Sequence, residues 1–142
     1  MKLPSLAMVL VFAFSTSGVR ADDAKDLEGT WALTSGELGE AKFPDELVKT
    51  IKLVVKDGKY AVTVGKQEDK GTCKIAPDKK PKEMDIIGTD GPNKGKTFLA
   101  IYELKGDELK ICYDLGGKER PTEFKVKPNT MHFLAVYKRV KE

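Results

Sequence analysis

Ile51-Lys52-Leu53-Val54-Val55-Lys56-Asp57-Gly58-Lys59-Tyr60-Ala61-Val62-Thr63-Val64 decides the fold. Ile51, Leu53 and Val55 share one face of an extended chain. Tyr60, Val62 and Val64 repeat the pattern after Asp57-Gly58, a pair suited to a two-residue hairpin. Period-two alternation places one face in a core and the other in water. The same pattern recurs outward along the chain. Cys73 and Ile75, Met84 and Ile86, then Leu109, Ile111 and Tyr113 alternate with polar residues, and so do Phe124 and Val126. Phe98 to Leu104 and Phe133 to Tyr137 are apolar on both faces and read as strands covered on both sides.

Turn signals separate these runs at short spacing: Pro77-Asp78, Gly91-Pro92-Asn93, Gly106-Asp107, Gly116-Gly117 and Pro128-Asn129. One stretch reads as helix, with Pro44 as its first residue, Asp45-Glu46 in its first turn and Leu47-Val48 behind. It is about two turns long. With a first strand near Trp31, the expectation is all-β: eight or nine short antiparallel strands and one short helix after the first strand. Consecutive hairpins favour an up-and-down barrel, whose closure removes exposed edges.

The N-terminus has a different character. Lys2 precedes an unbroken apolar run from Leu6 to Phe14, and a polar stretch leads to Val19-Arg20-Ala21. This is the three-part form of a secretory signal cut after Ala21. The run is less than half of the roughly 20 apolar residues a spanning helix needs, so the chain is not expected to span a membrane. No Cys lies near the cut to carry a lipid. The expected division is therefore a cleaved leader over 1–21 and one domain over 22–142, exported to the periplasm or cell envelope or secreted. Of the chain's 142 residues, 121 then remain. Lys2 and Arg20 leave with the leader, so the formal charge falls from +3 to +1. That is too little to argue for nucleic acid. Asp22 to Lys25 reads as a loose polar entry.

Leu27-Glu28-Gly29-Thr30-Trp31 carries a family resemblance. Gly-x-Trp at the start of strand one, ahead of a meander, resembles the lipocalin-type barrel signature. The resemblance implies that Trp31 closes one barrel end beneath an Arg of the last strand, here Arg139. Guanidinium over indole is a sound cation–π pair. Closer matches lie at 79–85, 91–97, 100–104, 109–113 and 120–124. Together these blocks resemble an uncharacterised lipocalin-like domain family abundant in planctomycete bacteria, over about Asp26 to Lys138. Its members are typically exported, and it brings no established activity. The family pattern has a Cys where Cys112 stands but an aromatic or aliphatic residue where Cys73 stands, so it implies no disulfide.

Few chemistries fit the remaining residues. One His and two Cys cannot supply a three- or four-ligand zinc site from nitrogen and sulfur alone. Neither a metal nor a cofactor is expected. Strand parity places Cys73 and Cys112 on opposite faces, although an exported chain with two Cys would favour a bridge. Gly91 to Thr97 has three residues between its glycines where a phosphate loop needs four, and a strand follows it. It reads as a hairpin loop. Lys79-Lys80-Pro81-Lys82 reads as a solvated hairpin tip, and His132 as a partly exposed strand residue. Asp85, Asp90, Glu103, Asp107, Glu108, Asp114, Glu119 and Glu123 read as surface charge, with acid–base work as the alternative. Arg120, held extended before Pro121, could bind an anion or pair with Glu103 or Glu123.

An eight-stranded barrel is just wide enough to be filled or to hold one small ligand. The expectation is a non-catalytic domain binding a small hydrophobic or amphipathic ligand in the barrel mouth. Tyr60, Tyr102, Tyr113 and Arg120 are its candidate ligand-binding residues, with Trp31 and Arg139 closing the barrel. The alternatives are a cell-envelope interaction module with a filled barrel and, third, a carboxylate-based enzyme at the mouth.

Overall fold

The computed structural model describes residues 19–141, with side chains from residue 23. The apolar part of the expected leader lies outside the described residues. The elements are α1 (Val19–Asp26), β1 (Gly29–Leu38), β2 (Ala41–Lys42), α2 (Asp45–Val48), β3 (Ile51–Lys56), β4 (Lys59–Val64), β5 (Gln67–Ala76), β6 (Lys82–Asp90), β7 (Thr97–Lys105), β8 (Glu108–Asp114) and β9 (His132–Arg139). From β3 to β9 each strand pairs antiparallel with the next. β1 joins both ends of this meander, pairing with β3 through Gly29–Ala32 and with β9 through Trp31–Leu38. The result is a closed antiparallel barrel of eight strands, with β2 as an extra strand beside the far end of β1. No helix among the described residues is long and apolar enough to cross a membrane.

The hairpin chemistry is that of the sequence. Lys56 pairs with Lys59 across Asp57 and Gly58, whose φ values of 53° and 73° are both positive, as a type I′ turn requires. Ile51, Leu53 and Val55 are buried, while Lys52, Val54 and Lys56 are exposed. α2 is a single turn rather than two, and Pro44 precedes it as the extended cap residue.

The barrel ends differ. At one end Trp31 is fully buried, and its indole N–H donates to the Leu27 carbonyl at 2.9 Å. The Arg139 guanidinium lies 4.2 Å from the centre of the Trp31 ring, directly across the β1–β9 pairing. It also donates to the carbonyls of Glu28, at 2.8 Å, and of Asp26. Gly29 makes room for it. Its φ is +133°, and a Cβ there would lie 2.9 Å from Arg139 Nη1. Beside this group, Asp23 is 3% exposed and accepts from the Tyr102 hydroxyl at 2.7 Å and from Lys82 Nζ at 2.9 Å. Asp22 to Lys25 is therefore not a loose entry. It lies in α1, because the buried Asp23 ties that helix across the barrel end.

A second correction concerns Phe124 and Val126. They lie in no strand; residues 115–131 form an irregular connection from β8 to β9. Pro121 and Pro128 lack the N–H that pairing needs. The segment instead covers outward-facing Ile101 and Cys112, which are 1% and 0% exposed. Pro121 is itself buried, and the Cys112 thiol lies 3.8 Å from the Lys125 carbonyl. Of the two strands expected to be covered on both sides, β7 buries outward Ile101 beneath this connection, whereas outward Leu134 and Val136 of β9 are only half-buried.

Replacing Arg139 with Ala removes the stacked cation and two hydrogen bonds at once. Chemical denaturation should show a loss of about 1–3 kcal/mol. Arg139→Lys should recover only part, because an ammonium cannot stack and fork as a guanidinium does.

Candidate functional site

Above the plugged end the barrel interior holds a cavity of about 310 Å³. Its walls are inward residues from around the barrel, among them Leu53 and Val55 of β3, Met84 and Ile86 of β6, and Leu109 and Ile111 of β8. Aromatic side chains shape the upper part. Phe43 stacks on Phe133 with ring centres 5.1 Å apart, and Phe133 stacks on Tyr113 at 5.4 Å. Val64, Leu47 and Leu115 line the rim, and Val64 is exposed there.

The polar groups of this lining are few. Burial pushes the Tyr60 hydroxyl well above its ordinary range, and the neighbouring Asp69 raises it further. Burial also raises Tyr113 and Tyr137, with Tyr113 raised further by its neighbour Tyr137. Burial likewise raises the Cys73 thiol. These groups stay protonated near neutral pH. The lining includes one carboxylate, Asp69, which is 8% exposed. It accepts from the Asn93 side-chain amide at 2.9 Å, from the Asn93 backbone N–H at 3.3 Å and from the Tyr60 hydroxyl at 3.3 Å.

Two glycines permit this arrangement. Gly71 and Gly88 face each other across β5 and β6. A Cβ on Gly71 would lie 2.0 Å from the Ile87 carbonyl oxygen and 2.7 Å from the Tyr60 ring. A Cβ on Gly88 would lie 2.0 Å from the Asn93 carbonyl oxygen. The 91–96 loop therefore folds back against β6, with Gly95 N–H donating to the Gly88 carbonyl at 2.9 Å. That fold brings Asn93 to Asp69.

The sequence-level candidates separate. Tyr60 and Tyr113 line the cavity. Tyr102 points inward at the plugged end, where burial and then its bond to Asp23 raise its hydroxyl. Arg120 is not at the mouth. It lies on the outer wall, donating to the carbonyls of Ala100 at 2.8 Å and Met84 at 3.2 Å. Its ion partners are Asp85 at 2.6 Å and Glu83 at 3.5 Å, rather than Glu103 or Glu123. With that many partners it acts as a strap holding the 115–131 connection to the barrel.

Asp69 is the residue that the sequence reading missed. It shares a face with Cys73 and Ile75, so parity alone places it inside. Its neighbours Gln67, Glu68 and Lys70 hide that signal in a polar run. Both thiols are free, with Cys73 facing inward and Cys112 outward. Burial pushes Cys112 up to about 11, partly offset by its contact with the Lys125 carbonyl. Among the described residues no group of three or more His, Cys, Asp or Glu could hold a metal ion. His132 is buried on β9 across from Asp114, facing away from the cavity.

No protein-family model matches this chain, and no curated protein or solved structure matches it.

Asp114 makes a test of how the 115–131 connection starts. Its carboxylate accepts from the backbone N–H groups of Gly116, Lys118 and Glu119 at 2.7–3.0 Å. Burial opposes its ionisation, but these amides and nearby His132 hold its carboxyl below the usual value. A carboxyl lowered by folding stabilises above its unfolded pKa of roughly 3.9, and that stability is lost as pH falls through the folded value. Asp114→Asn should cost about 1–3 kcal/mol at pH 7. The gap between variant and parent should narrow in unfolding titrations taken below about pH 4.

Proposed function

We propose that this chain is an exported, non-catalytic domain of the lipocalin-like family it resembles, and that it holds one small, partly apolar ligand inside its barrel. The observation that carries the reading is the interior cavity of about 310 Å³. Small-molecule sites run from roughly 300 to 1,000 Å³ and combine apolar walls with a few placed polar groups. This one lies at the small end of that range and has that composition. A filled barrel acting as an envelope module would need no such space. The carboxylates singled out in the sequence do not line the cavity, and Asp69 has no second carboxylate beside it there. A lone carboxylate tied to a loop favours binding over acid–base catalysis by a pair of acids.

Mass spectrometry of the protein purified from its own host tests both parts of the proposal. Under denaturing conditions the chain should begin at Asp22. Under native conditions it should carry one small molecule that denaturation releases. A chain still beginning at Met1 would overturn export. A bare native mass, with no thermal shift across a panel of apolar and amphipathic compounds, would overturn the ligand.

A further inference from the structure

We infer that the cavity selects a ligand joining a small apolar body to a protonated amine, with Asp69 as its counter-ion. This rests on the ligand-binding reading above and adds the head group. Asp69 is 8% exposed and lines the cavity, while the lining contains no Lys, Arg or His. Its neighbours on β5 offer no help, because Glu68 and Lys70 are exposed and pair with each other at 3.1 Å. A buried carboxylate without a cation is costly, and neutral donors offset only part of that cost.

The bonding at Asp69 leaves space for a further donor. A carboxylate has about four acceptor positions. Three are taken, by two donors of Asn93 and by Tyr60, and two of those contacts are long at 3.3 Å. The donors that tether the 91–96 loop and Tyr60 to Asp69 are all uncharged. The negative charge is left without a counter-ion among the lining residues. An ammonium group would neutralise it and take the open position. The Tyr60 and Tyr113 rings line the same space, and aromatic rings favour a cation further. A fatty-acid carboxylate of equal size would meet Asp69 as a like charge.

Calorimetric titration of the full mature chain with 1-hexylamine, 1-hexanol and hexanoate separates the head group from the apolar body. The amine should bind about ten- to a hundredfold more tightly than the alcohol, with hexanoate weakest. In Asp69→Asn the amine should lose its advantage, while affinity for hexanol stays within about threefold. Tyr60→Phe keeps the charge and should keep the order amine, alcohol, acid. If Asp69→Asn does not fold, the order in the unmodified protein decides alone. Hexanol or hexanoate binding as tightly as the amine would overturn the amine inference and leave the ligand reading standing. Failure of all three to bind, even at high concentration, would overturn both.

Discussion

The Arg139 guanidinium lying 4.2 Å over the Trp31 ring is the contact on which the rest of the barrel depends. It joins the first strand to the last at the point where the sheet closes. It also ends the barrel interior on one side, because the same cation reaches the carbonyls of Glu28 and Asp26 and holds the chain entry across the opening. The Gly-x-Trp motif has a physical basis here. Trp31 supplies the stacking face, and Gly29 leaves the space the guanidinium occupies. Asp23, Tyr102 and Lys82 add a polar layer whose donors and acceptor are matched, so the plug costs no stranded buried group.

The other end is governed by absent side chains. Gly71 and Gly88 let the 91–96 loop and the Tyr60 ring approach the β5–β6 pair more closely than any Cβ allows. The approach brings Asn93 and Tyr60 to Asp69, while the aromatic stack of Phe43, Phe133 and Tyr113 stands along the same interior. One end is sealed by side chains that meet. The other keeps an interior cavity of about 310 Å³.

The hairpin core was legible because alternation and turn chemistry agreed. Asp57-Gly58 has the positive φ pair its residues favour, and each inward residue of β3 follows the period-two pattern. Trp31 and Arg139 were legible as a pair only through what the resemblance to the lipocalin-type signature implies. Phe124 and Val126 misled because alternation also occurs where a segment lies on the outside of a sheet. Only the uncovered outer faces of Ile101 and Cys112 call for that segment, and those become visible after the barrel has closed. Asp23 was illegible for a similar reason. Its partners Lys82 and Tyr102 are 59 and 79 residues away, and nothing local announces the bond. Arg120 was singled out for the mouth because Pro121 holds it extended, but local sequence does not say to which side of a wall a strap is tied.

Trp31 is the chain's one tryptophan, so its emission reports directly on the sealed barrel end. Its fluorescence in the native protein should be blue-shifted relative to the unfolded chain, and acrylamide should barely quench it. A native emission matching that of the unfolded chain, freely quenched by acrylamide, would contradict the closure from which the fold and the cavity above it follow.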